Sequence, residues 1–222
     1  STANRVQANE PRTFGASVAD STLLTKALLA AANPTADFGS GDLAENLRAL
    51  AKVLPVFKSQ GYRRQVFLVH YGSFDTHAGQ LGSGTTSQDT QLGAVGKAVA
   101  GFDQSLVAAG LGDDVITLMM SDFGRTLRPG SGGGSEHAWG NHWFAVGGAV
   151  AGGTVHGTFP TLTLGGPDDG DANRNGRMVP TLATDQVGAT LMQWMGLPSN
   201  LVTEAFPALA NFGNRTVPLL RG

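Results

Sequence analysis

The chain has 222 residues and a formal net charge of −2, a length that suits one α/β domain with a sizeable core, or a large piece of one. No basic run is present and no apolar stretch is long enough to span a bilayer, so charge and hydropathy exclude a nucleic-acid binder of the basic-patch type and a helical membrane span. Cysteine is absent, which excludes disulfides, thiolate metal sites and a cysteine nucleophile but not export.

Only 14% of residues are charged and 32 are glycine, a mix that suits long ordered loops and much buried or partner-covered surface. A start at Ser1, with neither Met nor a signal peptide, is expected of a processed chain or a fragment.

Residues 1–42 are rich in Ala, Asn, Thr and Gly and form an irregular segment with one short helical stretch near Ser21–Ala32. From Leu43 to Gln60, the apolar residues Leu47, Leu50, Ala51 and Leu54 recur at helical spacing, and Gly61 follows as a stop. Pro55 is expected to end or kink that helix. Arg64–His70 reads as a buried strand. Gln88–Leu111 reads as a long helix with Leu92, Val95, Val99, Phe102, Leu106 and Val107 on one face.

Asp114–Ser121 reads as a second buried strand, and Trp143–Val150 is a third apolar run broken by Gly147-Gly148. Thr184–Met195 is an amphipathic helix, with Thr184 or Asp185 as its cap and Gly196 as its stop. Strand, helix and strand in this order predict an α/β fold: a doubly wound, mostly parallel sheet with helices on both faces and right-handed crossovers. There is no internal repeat.

Open α/β sheets present their sites at the carboxyl ends of strands. Two apolar runs here stop abruptly in chemistry-bearing residues. Val66-Phe67-Leu68-Val69 ends in His70-Tyr71-Gly72-Ser73-Phe74-Asp75-Thr76-His77. Val115 to Met120 ends in Ser121-Asp122-Phe123-Gly124-Arg125, and a glycine-rich stretch, Gly130 to Gly134, leads flexibly into Glu136-His137-Ala138-Trp139-Gly140-Asn141-His142.

Asp75 and His77, two apart, can reach one metal, because carboxylate and imidazole are ordinary zinc, manganese or iron ligands; the plainer alternative is an Asp capping a turn with a His bonded to it. Asp122 fits an Asx turn equally well. Arg125 can pair with Asp122 or clamp a phosphate or sulfate oxyanion. Glu136, His137 and His142 add donors, and four of the five histidines flank two strand ends, which points to one shared site. His70 fits a core histidine and His156 a turn.

Asp171-Ala172-Asn173-Arg174-Asn175-Gly176 matches the first half of a calcium loop. Leu182 stands where the bidentate Glu belongs, although Asp168, Asp169 or Asp185 can substitute. An ordinary Asn/Asp/Gly surface loop accounts for the same residues. No Gly-x-Ser-x-Gly elbow, phosphate loop or dinucleotide fingerprint is present.

The stretches Gly72 to Gln80, Ser121 to Leu127, Glu136 to Phe144, Gly147 to Gly153, Gly176 to Pro180 and Phe206 to Leu209 resemble a bacterial family called domain of unknown function 1501. That family is placed in the alkaline phosphatase-like, or sulfatase-like, superfamily. The resemblance runs from about Leu43 to the end and corresponds to the C-terminal half of the family's usual length. It implies that residues 43–222 form the C-terminal part of an alkaline phosphatase-like domain, with residues 1–42 continuing a missing N-terminal half.

The resemblance also implies metal-dependent hydrolysis or transfer of phosphate or sulfate esters. Asp75, His77 and His137 are its best metal ligands by motif position, with Asp122, Glu136 and His142 behind them, and Arg125 as the oxyanion-stabilising catalytic residue. Family members usually carry a twin-arginine-type export signal, which implies a periplasmic or extracellular protein. The family usually has Asp-His-Gly where this chain has Glu136-His137-Ala138. In the superfamily the nucleophile and some ligands lie in the N-terminal half.

The leading expectation is therefore an exported metal-dependent ester hydrolase, or part of one, acting on a small-molecule ester. One alternative is a non-catalytic secreted structural or assembly protein whose partner is the missing half or another protein. The other is a calcium-stabilised extracellular binding module built on Asp169, Asp171, Asn173 and Asn175.

Overall fold

A computed structural model describes residues 21–27 and 29–222. The first part of the expected irregular segment 1–42, residues 1–20, lies outside the described residues; 21–27 are helical, as the Ser21–Ala32 pattern suggests.

Helix α1, Asp42–Ser59, buries Leu43, Ala44, Leu47, Ala51 and Val53. Asp42 and Glu45 in its first turn and Lys58 in its last complement the helix dipole. It runs through Pro55 rather than stopping there. Just before the proline, Val53 is buried and Leu54 packs against the core. The end is a Schellman motif: Tyr62 N–H donates to Phe57 O and Gly61 N–H to Lys58 O, with Gly61 at φ 82°.

Helix α2, Gln88–Ala108, is capped by Ser87 Oγ, which accepts from Thr90 N–H at 3.3 Å. Val95, Val99, Phe102 and Leu106 face inward as the periodicity predicts, whereas Leu92 and Val107 are exposed. The main core joins α1, α2, Phe38 and Leu111, and Val69, Tyr71, Phe74, Val115, Met119 and Val146 pack against it.

Four short strands follow, paired in two antiparallel ribbons. Strand β1, Thr117–Met119, pairs with β4, Phe144–Val146; strand β2, Gly124–Pro129, pairs with β3, Ser135–Ala138. The second buried run of the sequence thus yields a strand at its centre. The first does not: residues 64–70 begin in a bend at Arg64, where φ is 59°, carry no ladder pairing, and leave Val66 and Leu68 73% and 92% exposed. A strand is completed by its neighbours, and none of the described residues supplies one here.

Helix α3, Thr184–Trp194, starts with the Gln186 side chain accepting from Ala183 N–H at 2.8 Å, not with a Thr184 or Asp185 cap. It ends at Gly196 in a second Schellman motif, Leu197 N–H to Met192 O. Helix α4, Ser199–Ala205, and a 3₁₀ turn, Pro207–Asn211, close a smaller core around Ala189, Val202 and Leu209. Thr190 Oγ1, accepting from Val217 N–H, ties the tail back to α3. No helix among the described residues is long and apolar enough to cross a membrane.

Candidate metal centre

Buried Gln91 on α2 fixes the approach to the site from below. Its carboxamide oxygen accepts from Ser73 N–H at 2.8 Å and its NH₂ donates to Ser73 O and Thr86 O. Two tight turns follow, Thr76 N–H to Phe74 O and His77 N–H to Asp75 O. The Asp75–His77 turn then lies on the β2–β3 hairpin, with Ser135 N–H donating to Thr76 O and Gly79 and Gln80 N–H donating to Gly132 and Gly133 O.

The glycine-rich stretch is therefore a docking surface rather than a flexible lead. A Cβ on Gly134 would stand 2.1 Å from Thr76 O, so the approach requires glycine at that position.

Arg125 on β2 and His137 on β3 are register partners, so both side chains project from one face of the hairpin toward Asp75. Three basic groups converge on one oxygen. Asp75 Oδ1 lies 2.6 Å from His137 Nε2, 2.9 Å from His77 Nε2 and 3.2 Å from Arg125 Nη1. The His137 hydrogen bond is the largest effect on the Asp75 carboxyl; burial opposes it, and the Arg125 bond with the charges of the two imidazoles leaves the carboxyl below the usual aspartate range.

Arg125, with a side chain only 12% exposed, donates through Nε to Ser135 Oγ at 3.0 Å and through Nη2 to Ser135 O. Ser135 Oγ in turn donates to Gln80 Oε1, and Gln80 Nε2 to Gln88 Oε1. Phe123 stacks on His137 with centroids 4.3 Å apart and also lies beneath the Arg125 guanidinium. Side-chain polarity gives no hint in the sequence of these supports (Gln80, Gln91, Phe123 and Ser135), because each acts through a contact distant along the chain.

His77 has a carboxylate at each ring nitrogen: Asp75 Oδ1 at Nε2, and Glu136 Oε2 at Nδ1, 3.0 Å away. A neutral imidazole has one N–H and one lone pair, and a carboxylate only accepts. An imidazolium donating to both carboxylates satisfies the two contacts, and so does a cation between Nε2 and Asp75 with Nδ1–H donating to Glu136. The donor set fits a divalent metal on this ground. Asp75, His77 and His137 each offer one ligand atom, all within 4.8 Å of one another. Two imidazoles and one carboxylate are the ligand chemistry of zinc, iron and manganese sites that keep open positions for substrate.

The remaining expected ligands fall outside this group. Asp122 is exposed at a bend, and the loop there is pinned by Asn141 Nδ2 donating to Ser121 O and Phe123 O. His142 stacks against Phe159. Glu136 meets the group only through the far side of His77. His70 is exposed rather than a core residue, and His156 contacts Thr154 Oγ1.

The Asp171–Gly176 loop is closed by its own backbone. Asp169 accepts from the N–H groups of Gly165, Asp171, Gly176 and Arg177. Asp171 accepts from Asn173 and Asn175 N–H and pairs with Arg177. These bonds hold the carboxyls of both below the usual range, the largest being those from Gly165 and Asn173 respectively. The loop docks on the hairpin through Leu127 N–H to Gly176 O and Arg128 N–H to Asn175 O. Arg177 Nε also donates to His137 O at 2.9 Å.

A family model described as Protein of unknown function (DUF1501) matches residues 2–185. The chain belongs to this DUF1501 family. Asp75, His77, Arg125, Glu136, His137 and the Asp171 loop all lie within the matched DUF1501 region, whereas most of α3 and all of α4 lie beyond it. No curated protein and no solved structure matches the chain.

Proposed function

We propose that this chain carries the metal centre of an exported hydrolase of phosphate or sulfate esters, within the C-terminal part of an alkaline phosphatase-like α/β domain. The convergence of His77 Nε2, His137 Nε2 and Asp75 Oδ1 carries the reading. These three side chains would hold the ion. Bound there, a divalent metal supplies Lewis acidity that polarises an ester oxygen and eases deprotonation of an attacking hydroxyl or water.

Arg125 is assigned two tasks: it orients Asp75, and it stabilises charge on the non-bridging oxygens of a bound ester. Its two bonds to Ser135 hold the guanidinium in one orientation, so little reorganisation is needed when charge develops.

A second reading, in which the chain is a part that docks on more polypeptide, has its own observation. Residues 63–72 make no backbone hydrogen bond among the described residues, and they include the exposed Val66 and Leu68. Unpaired backbone bearing apolar side chains is suited to strand addition by further polypeptide or another protein. The two readings are compatible.

Elemental analysis of the purified chain, with Asp75→Ala and His137→Ala beside it, tests the first. Stoichiometric zinc, manganese or iron in wild type and its loss from both variants is the expected result, followed by metal-dependent cleavage of aryl phosphate or sulfate esters. A folded wild type that takes up none of these metals would end the hydrolase reading.

A further inference from the structure

We infer that Glu136 is the positioning residue of the centre rather than one of its ligands: it fixes His77 as the Nδ1–H tautomer and so turns the Nε2 lone pair toward the metal. The inference rests on the metal reading above.

The two ring nitrogens of His77 point away from each other, one at Asp75 and the other at Glu136 Oε2. An ion bound at Nε2 therefore lies across the ring from Glu136, and the glutamate does not join the group of converging ligand atoms. What Glu136 does offer is an acceptor at Nδ1. An imidazole that donates from one nitrogen to a carboxylate is held in one tautomer and orientation, and is made a stronger donor at the other.

Glu136 is itself anchored: its N–H donates at 3.0 Å to Thr126 Oγ1, a buried hydroxyl that donates onward to Arg128 O. His137 has no such partner. Among the described residues its Nδ1 meets no acceptor, and its ring is held instead by stacking on Phe123. Both imidazoles meet Asp75, but only His77 has a second carboxylate at the ring nitrogen that faces away from it.

The test is zinc affinity by competition with a chromophoric chelator, for wild type, Glu136→Ala, Glu136→Gln and, as the ligand control, Asp75→Ala. Cobalt(II) absorption spectra report coordination, and ring-nitrogen NMR reports the tautomer of His77. Glu136→Ala is expected to weaken zinc about 10- to 100-fold while the cobalt spectrum keeps the wild-type coordination number. Glu136→Gln, whose amide oxygen still accepts from Nδ1–H, is expected to recover part of that loss. The NMR of the metal-free protein is expected to show the His77 proton shifted from Nδ1 toward Nε2, where Asp75 still accepts, in Glu136→Ala, with His137 unchanged.

An affinity within twofold of wild type in Glu136→Ala would overturn the inference. So would a loss as complete as that of Asp75→Ala together with a changed cobalt coordination number, which would make Glu136 a ligand. Failure of wild type itself to bind zinc or cobalt would instead remove the metal reading, and the inference with it.

Discussion

Asp75 and Asp169 both sit in short polar loops that lean on the same hairpin, yet their carboxylates have different company. Asp75 Oδ1 faces two imidazoles and a guanidinium, delivered by its own turn and by both strands of the hairpin. Asp169 faces four backbone N–H groups, all within the stretch from Gly165 to Arg177. A backbone N–H cannot give up its proton to make room for a cation, whereas an imidazole nitrogen can offer a lone pair. The first arrangement is therefore open to exchange with a metal. The second takes its hydrogen bonds from its own loop.

Metal affinity should separate the two aspartates most widely. His137→Ala or Asp75→Ala is expected to lower zinc affinity by at least about 100-fold, since each removes a direct ligand. Asp169→Ala should leave it within about tenfold, below the range for a residue bonded directly to a ligand. Isothermal titration measures both, and equal losses would erase the distinction.

Thermal stability should rank them the other way. Asp169→Ala strands four backbone donors and is expected to lower the melting temperature by roughly 4 °C or more. Metal-free Asp75→Ala should change it less, because Asp75 and its two histidine partners are about half exposed. Millimolar calcium should shift neither protein appreciably.

Acid sharpens the same contrast. The folded-state pKa of Asp169 is lowered, so its contribution to stability is full above the unfolded value of about 3.9 and is lost as pH falls through the lower folded value. Asp169→Asn should therefore reduce the slope of stability against pH below about pH 4. Urea titrations at pH 3 and pH 6 are sufficient to see it; an unchanged slope would mean the loop does not hold its carboxylate in solution.

The two regions also differ in how far the sequence announces them. Asp75, His77 and His137 are chemically conspicuous, and two strand-end motifs suffice to group them. The helices at Asp42–Ser59, Gln88–Ala108 and Thr184–Trp194 follow from apolar spacing and glycine stops. What escapes is anything defined by contact across the chain. Gln91, Ser135 and Thr126 look like ordinary polar residues until the fold buries them beside the site. Glu136 reads as a ligand because it is an acid next to a histidine, while its reach to Nδ1 of a different histidine depends on how two loops dock. Val66 to Val69 reads as a core strand for the same reason: hydropathy records what a segment tends to bury, and only a neighbour decides whether it does.

Arg177 joins the two regions, and it supports the smallest prediction. Its Nη1 pairs with Asp171, whose side chain is 7% exposed, while its Nε donates to the carbonyl of His137. Asp171 thereby fixes a guanidinium that fixes the backbone carrying His137. Asp171→Asn keeps an acceptor for the loop N–H groups but removes the charge that anchors Arg177. The expected result is a zinc affinity about two- to fivefold weaker, below the range for a residue bonded directly to a ligand side chain. Arg177→Lys should do the same, since a lysine cannot span Asp171 and His137 O with a rigid planar group. If both variants bind zinc as wild type does, the loop is an independent unit and the hairpin alone holds His137 in place. If only Arg177→Lys weakens binding, the contact to His137 O matters and the Asp171 pair does not.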